Sequence, residues 1–137
     1  MTNIARLPEP FRPVYRYTMR DGSPQEEEAL GSDLWNEHGV VYARVYQDEP
    51  VYIGSTDRRL SRRIQAHLRG ISKSEQSTPV KYRQWAEGKR ITIVAYKPPP
   101  VELLGRVIPI HRAVEAALID EIRPKPIDSR PWFVART

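Results

Sequence analysis

A run of cations follows a short apolar segment in the first half of the chain. Between Ser55 and Gly70 the sequence contains five arginines and one histidine: Arg58, Arg59, Arg62, Arg63, His67 and Arg69. Guanidinium groups bind phosphate oxygens through paired hydrogen bonds, and histidine changes its charge close to neutral pH. Side chains of these types at this density suit binding, or chemistry, at a phosphate group.

The charge of the chain is concentrated around this run. The net charge is +5, whereas the segment from Arg58 to Arg90 has ten Lys/Arg against two Glu, which is +8 and leaves −3 for the rest. A basic segment in an otherwise acidic chain is typical of a protein with a phosphate-rich partner. A solvated basic face explains the charge alone equally well.

Helical spacing organises the cations. A helix that starts at Thr56 or Asp57 and ends near Arg69 places three aliphatic residues in one stripe, which are Leu60, Ile64 and Leu68. A second stripe about 100° round the helix has the same spacing and holds Arg59, Arg63 and His67. We therefore expect the second stripe to lie at the edge of the packed helix face.

A single carboxylate interrupts a later apolar helix, which we predict from about Pro109 to Arg123. At roughly 100° per residue, Glu115 falls in the middle of the face formed by Val114, Leu118, Ile119 and Ile122. An unpaired buried carboxylate costs several kcal/mol, so it must meet a cation or a metal, or line a wet cleft. A salt bridge to an arginine is the structural alternative to a functional role.

Two strands precede the cationic helix. Residues 39–46 and 50–54 are rich in β-branched and aromatic side chains and predict an antiparallel hairpin that turns at residues 47–49. Alternation places Tyr42, Arg44 and Tyr46 on the same face as Tyr52. We expect the aliphatic face to form the core and the tyrosines to lie on a polar face; the alternative is that a helix covers them.

The remaining elements complete an α/β prediction: a three-stranded, mainly antiparallel sheet flanked by helices. Residues 90–96 form the third strand, residues 80–88 a short helix, and residues 131–135 a short edge strand. The spacing of Ser23, Pro24 and Glu26 predicts a short helix after an irregular, Pro-bearing arm. The predicted organisation is an N-terminal arm and short helix over 1–38 and a main domain over 39–137.

Composition excludes several classes of protein. The chain has 137 residues and no cysteine, which excludes disulfides, thiol chemistry and Cys-based zinc sites within it. No apolar run reaches the roughly 18 residues that a membrane span needs. The first residues lack the apolar core of a signal peptide, so we expect a cytoplasmic protein.

These residues, taken in order, resemble one family. The series Gly39-Val40-Val41-Tyr42, Val51-Tyr52-Ile53-Gly54, Arg63, His67 and Glu115 is similar in order and approximate spacing to the GIY-YIG nuclease superfamily. The resemblance spans about residues 39–128. It is greatest to the small single-domain phage and restriction-type endonucleases.

The resemblance implies a metal-dependent DNA endonuclease that hydrolyses phosphodiester bonds. Tyr42 would act as general base or position the attacking water, and Tyr52 would hydrogen-bond across the site. Arg63 would stabilise charge developing on the phosphate, and His67 would contact the same group. Glu115 would hold one divalent cation, Mg²⁺ or another such as Mn²⁺. The DNA-binding residues would be Arg44, Arg58, Arg59, Arg62, Arg69, Lys73 and Lys81.

Some features leave alternatives open. The first motif is one residue longer than Gly-Ile-Tyr, and Asp128 stands where the family often has Asn. Arg62 competes with Arg63 for the catalytic role, although the stripe geometry favours Arg63. A non-catalytic nucleic-acid-binding module on the same scaffold is the alternative function. We also expect self-association, as a dimer or tetramer, because cutting both strands with one active site requires two protomers or sequential nicking.

Overall fold

The protein has an α/β fold built on a five-stranded antiparallel sheet. The computed structural model describes residues 7–8, 10–73 and 84–122. The strands of this sheet are β1 (Arg12–Arg20), β2 (Ser23–Ala29), β3 (Val40–Tyr46), β4 (Glu49–Thr56) and β5 (Arg90–Tyr96). Their order across the sheet is β2-β1-β5-β3-β4, so β2 and β4 are the edges. The sheet is therefore larger than the three strands predicted.

Helices and a small hairpin complete the described part of the chain. They are a 3₁₀ helix (Asp33–Asn36), α1 (Leu60–Lys73), α2 (His111–Ile122) and the strands β6 (Val101–Leu103) and β7 (Arg106–Ile108). Residues 84–86 are also helical, within the short helix predicted over 80–88. The predicted strand at residues 131–135 lies outside the described residues.

Two-residue turns with positive φ connect the hairpins. Asp21 and Gly22 join β1 to β2, Gln47 and Asp48 join β3 to β4, and Leu104 and Gly105 join β6 to β7. Positive φ at both turn residues gives a loop whose twist matches that of the paired strands. The predicted hairpin of β3 and β4 is thus confirmed, with its turn at residues 47–48.

The N-terminal region differs from the prediction of an arm and a helix. Residues 12–29 form β1 and β2, and β1 pairs with β2 on one side and with β5 on the other. Tyr17 and Met19 of β1 are fully buried. The Ser-Pro-x-Glu spacing that mimics a helix start lies in an edge strand, where proline is tolerated because its missing N–H faces outward.

The two helices cover opposite faces of the sheet. On one face, Leu60, Ile64 and Leu68 of α1 pack on side chains from β1, β3, β4 and β5. On the other face, Leu118 and Ile122 of α2 pack on aliphatic side chains of β3, β4 and β5. The predicted apolar stripe of α1 is therefore confirmed, and both faces of the sheet are core.

The prediction that the tyrosines lie on a polar, solvent-facing side of the sheet is wrong. Tyr42 is fully buried and Tyr52 is 8% exposed, and both belong to the core beneath α1. The aliphatic face, which we expected to form the core, is covered by α2. Since a second helix claims the aliphatic side chains, α1 packs on the aromatic ones, which was the alternative considered from the sequence.

Among the described residues, the large exposed apolar side chains lie on the hairpin of β6 and β7. Leu104 at its tip is 95% exposed, and Leu103 and Val107 are more than half exposed. Among the described helices, none is both long and apolar enough to cross a membrane.

Candidate active site

An open cavity of about 880 Å³ lies beside the end of edge strand β4, where α1 and α2 approach it from opposite faces of the sheet. Its walls include Ser55 of β4, Arg62 and Arg63 of α1, and Arg112 and Glu115 of α2. The cavity therefore brings together arginines from both helices and the Glu115 carboxylate of α2.

Arg63 connects this cavity to the aromatic core. Its side chain is half-buried, and its Nε donates to the Tyr42 hydroxyl at 3.4 Å. The Tyr42 hydroxyl is buried, so it contacts Arg63 at the wall and does not line the cavity. In this structure Tyr42 orients a cation that faces the cavity.

Gly54 makes room for Tyr42. The two residues pair across β3 and β4, and a β-carbon at Gly54 would lie 2.8 Å from the Tyr42 ring and hydroxyl oxygen. This distance is shorter than the van der Waals separation of a β-carbon from carbon or oxygen, so any side chain at residue 54 would displace the tyrosine. The glycine that ends the second motif is therefore required by the tyrosine of the first.

His67 completes an aromatic cluster with the two tyrosines. Its ring centroid is 6.0 Å from that of Tyr42 and 6.2 Å from that of Tyr52, edge-on to both. The Tyr42 and Tyr52 centroids are 6.2 Å apart. Four of the five predicted catalytic residues, Tyr42, Tyr52, Arg63 and His67, thus lie in one cluster.

Arg44 differs from its predicted role as a surface DNA contact. It is 7% exposed, lies with its guanidinium 5.0 Å from the centre of the Tyr52 ring, and contacts His67. Its partner across the strands is Tyr52. The arginine belongs to the interior of the cluster because α1 covers this face.

Glu115 lies on the buried face of α2, as the helical spacing predicts. It is 9% exposed, and the Ser55 hydroxyl donates to its Oε1. Leu118 is a buried neighbour on the same face. The serine of β4 holds this carboxylate at the cavity wall, on the side opposite Arg63.

A second polar cluster joins the two walls and was not found from the sequence. Asp57 accepts hydrogen bonds from Nε2 of His111 and from Arg112, the first two residues of α2. The Arg112 guanidinium, and then His111, hold the pKa of the Asp57 carboxyl below its usual range. Asp57 in turn raises the pKa of Arg112. We expected Asp57 or Thr56 to start α1. The Asp57 carboxylate instead binds α2, and α1 begins at Leu60.

His111 is buried at the base of this second cluster. It is 6% exposed, and its Nδ1 has no hydrogen-bond partner among the described residues. Gly39 lies against the ring, since a β-carbon there would be 3.3 Å from Nδ1. His111 lies four residues before Glu115 and therefore on the same face of α2. That spacing is the one sequence signal that could have indicated its burial.

The other predicted DNA-binding cations divide by position. Arg58 and Arg62 are exposed and line the cavity, whereas Arg59 is exposed outside it. Arg69 faces a smaller hollow against β2, beside Pro24 and Glu27. Lys73 ends α1, and Lys81 and Asp128 lie outside the described residues. Arg62 and Arg63 both reach the cavity, and Arg63 is the one bonded to Tyr42.

The donor set suits one class of metal ion. Within residues 7–8, 10–73 and 84–122, no group of three or more His, Cys, Asp or Glu side chains is arranged to hold a metal. Mg²⁺ keeps several waters and is commonly bound by one or two carboxylates together with substrate phosphates. Glu115, a carboxylate facing an open cavity lined by arginines, fits that mode of binding. It does not fit an all-protein metal cage.

Comparison with known proteins supports the fold. No protein-family model matches the sequence, and no curated protein matches it. The structure is similar to that of a mutant of bacteriophage T4 EndoII, with a TM-score of 0.61, 20% sequence identity, and coverage of 83% of this chain and 88% of that one. It is also similar to restriction endonuclease HPY188I in complex with product DNA, with a TM-score of 0.50, 19% identity, and coverage of 88% of this chain and 80% of that one. At these identities the similarity establishes a shared fold.

Proposed function

We propose that the protein is a metal-dependent DNA endonuclease of the GIY-YIG type, which hydrolyses phosphodiester bonds. One observation carries the proposal: Arg63 is bonded to the buried motif tyrosine Tyr42 and lines the same cavity as Glu115. The similarity to a phage EndoII and to a restriction endonuclease solved with product DNA supports the class of reaction.

The residues of the cavity have complementary roles in this proposal. Arg63 binds the scissile phosphate and stabilises the negative charge that develops on it, while Tyr42 fixes the direction of the guanidinium. Arg58 and Arg62 bind the flanking phosphates from the exposed rim. Glu115 holds Mg²⁺ or Mn²⁺, which when bound supplies a Lewis acid that stabilises the leaving oxygen.

The cluster behind Arg63 sets its geometry. His67, a residue of α1, packs edge-on against Tyr42, while the Tyr52 ring is tilted by 34° from that of Tyr42. Both tyrosines lie in the core beneath α1. A buried, hydrogen-bonded aromatic cluster leaves little rotamer freedom, so the guanidinium is preorganised before DNA binds. The family resemblance assigns contact with the phosphate to His67; its ring lies behind Arg63 and outside the set of residues that line the cavity, although its neighbour Ala66 is in that set.

The test is nicking of supercoiled plasmid with Mg²⁺, with and without chelator. We expect relaxed plasmid only when free metal is present. Arg63→Ala removes a contact made in both the ground and transition states, so cleavage and DNA affinity should fall together. Gln65→Ala, an exposed change on the same helix, is the matched control. Binding without any metal-dependent nicking by the wild-type protein would replace this proposal with a non-catalytic DNA-binding module.

We also propose that the protein self-associates on DNA. Cutting both strands requires two sites or two successive events on one site. Residues 12–29, part of the region predicted as an arm and short helix, are built into the sheet of this chain. Sedimentation of the 15.9 kDa chain with and without a duplex gives the mass directly; a monomer under both conditions contradicts self-association.

A further inference from the structure

A buried arginine lies behind the catalytic cluster and contacts His67. Arg44 is 7% exposed, and its Nη2 lies 3.0 Å from Nδ1 of His67. Long cationic side chains are seldom buried unless they are paired or have a specific role. The contact joins β3 to α1 beneath the cavity wall.

The chemistry of this hydrogen bond determines where the imidazole carries its proton. A guanidinium has N–H donors and no acceptor, so Nδ1 of His67 must be the acceptor. A nitrogen that accepts has a lone pair and no proton. The neutral ring therefore carries its proton on Nε2.

The surroundings of the ring hold it in that orientation. Tyr42 and Tyr52 meet it edge-on, and the Arg44 guanidinium lies against the Tyr52 ring at 5.0 Å. One side chain thus fixes both the orientation of His67, through Nδ1, and its own position, through the tyrosine. A flipped ring would place a carbon where the guanidinium needs an acceptor.

We infer that Arg44 is a positioning residue that keeps His67 neutral with its proton on Nε2, so that His67 acts on the phosphate as a hydrogen-bond donor and not as a base. The role at the phosphate rests on the proposed function; the tautomer rests on the geometry alone. Because Nε2 carries the proton, it cannot accept one from an attacking water.

The groups facing His67 act in the same direction. Among the described residues they include Arg44 and Tyr42 from β3 and Tyr52 from β4. Arg44 is a cation, and a cation nearby disfavours a second proton on the ring. Protonation of Nδ1 would also break the Arg44 hydrogen bond.

Nitrogen NMR on histidine-labelled protein tests the tautomer directly. The chain has three histidines, and His67→Gln assigns the signals of His67. At pH 7 we expect an unprotonated Nδ1 and a protonated Nε2, because Nδ1 accepts from a guanidinium. A proton on Nδ1, or a charged ring at pH 7, would overturn the inference.

Two variants separate positioning from DNA contact. Arg44→Met keeps an unbranched side chain without a donor, so we expect the His67 ring to populate the form with a proton on Nδ1, which the wild type lacks. We expect kcat to fall about 10- to 100-fold with DNA affinity within about twofold. Arg58→Met, at an exposed arginine of the cavity rim, should weaken DNA binding and leave the His67 spectrum unchanged.

A conservative substitution of Arg44 keeps the test valid if Arg44→Met fails to fold. Arg44→Lys retains a cationic donor and should restore the Nε2–H form in part, whether or not Arg44→Met folds. An unchanged His67 spectrum in Arg44→Met, or a loss of DNA affinity equal to that of Arg58→Met, would overturn the positioning role. If the wild-type protein does not nick DNA, the proposed function fails while the NMR result still decides the tautomer.

Discussion

The two faces of the sheet are built differently. Beneath α1 the core combines aliphatic side chains with buried tyrosines and a buried arginine, including Tyr42, Tyr52 and Arg44. Beneath α2 the buried core is aliphatic apart from Phe11, and α2 presents the buried carboxylate Glu115. Both faces end at the same edge strand, β4, beside the cavity.

The difference separates two tasks. On the α1 face, hydrogen bonds among buried side chains, such as Arg63 to Tyr42 and Arg44 to His67, hold the cation that faces the cavity. On the α2 face, apolar packing holds a helix that presents the Glu115 carboxylate to the cavity. We therefore expect substitutions on the α1 face to lower the cleavage rate by intermediate amounts, because they disturb the position of Arg63. Loss of the carboxylate on the α2 face should abolish cleavage.

The largest effect should follow the loss of the carboxylate on the α2 face. Glu115→Ala should reduce Mg²⁺-dependent nicking by about 1000-fold or more, since it removes the proposed metal ligand. DNA affinity should be intact or improved, because a negative charge beside the phosphate site is lost. Gel shift and plasmid nicking measure the two effects, with the exposed Glu121→Ala on the same helix as control. Cleavage near the wild-type rate would show that Glu115 does not hold the metal.

A smaller effect should follow the loss of one hydroxyl on the α1 face. Tyr42→Phe keeps the buried ring and removes only the contact with Arg63. We expect a fall in the cleavage rate of about 10- to 100-fold, less than for Arg63→Ala, because the guanidinium is present but less well directed. Single-turnover cleavage at saturating DNA isolates this step. A rate equal to that of Arg63→Ala would mean that the hydroxyl itself acts on the substrate.

Packing between the strands gives the next prediction. Gly54→Ala places a β-carbon against the Tyr42 ring, so the free energy of unfolding should fall by about 1–3 kcal/mol, as in overpacked cores. Urea denaturation measures the change. Ser55→Ala, the next residue along β4, is the control: it should weaken cleavage through Glu115 but leave the tyrosine cluster in place. Equal stability of Gly54→Ala and wild type would contradict the close approach.

The smallest effect concerns the link between the two walls. Asp57 has a lowered pKa because Arg112 and His111 bind it, so its stabilising contribution is present above the ordinary Asp pKa of about 4 and is lost as pH falls below it. The melting temperature of Asp57→Asn should be below that of wild type at pH 7, and the gap should narrow as the pH falls from about 4 through the lowered pKa of Asp57. Asp48→Asn, in the exposed turn, should show no such pH-dependent gap. A gap that persists in acid would contradict the ionic link.

Local patterns predicted the elements that local contacts determine. The strand over residues 90–96 was predicted with the bounds of β5, and the later helix begins and ends within two residues of α2. The burial of Glu115 followed from helical periodicity alone. The Asp21-Gly22 pair is a two-residue hairpin signal, but a helix-start pattern immediately after it led to the wrong prediction for β2.

The rest depended on contacts that periodicity does not contain. Which face of the sheet α1 covers depends on where α2 packs, and so the exposure of Tyr42 and Arg44 was wrongly predicted. The hydrogen bonds from His111 and Arg112 reach Asp57 from 54 and 55 positions away. No local spacing relates such residues, although their side-chain types are common in polar sites.

The position of β1 has a consequence for how the chain folds. Tyr17 pairs with Ile91, and the whole of β3, β4 and α1 lies between them in sequence. Closing a loop of about 70 residues carries an entropy cost, so we expect the hairpin and helix that carry Tyr42, Gly54 and Arg63 to form before β1 joins β5. During synthesis the hairpin of β1 and β2 leaves the ribosome before β5, so β1 stays unpaired on that side until β5 has been made. Hydrogen-exchange labelling during refolding should protect β3 and β4 before β1, and simultaneous protection would exclude this order.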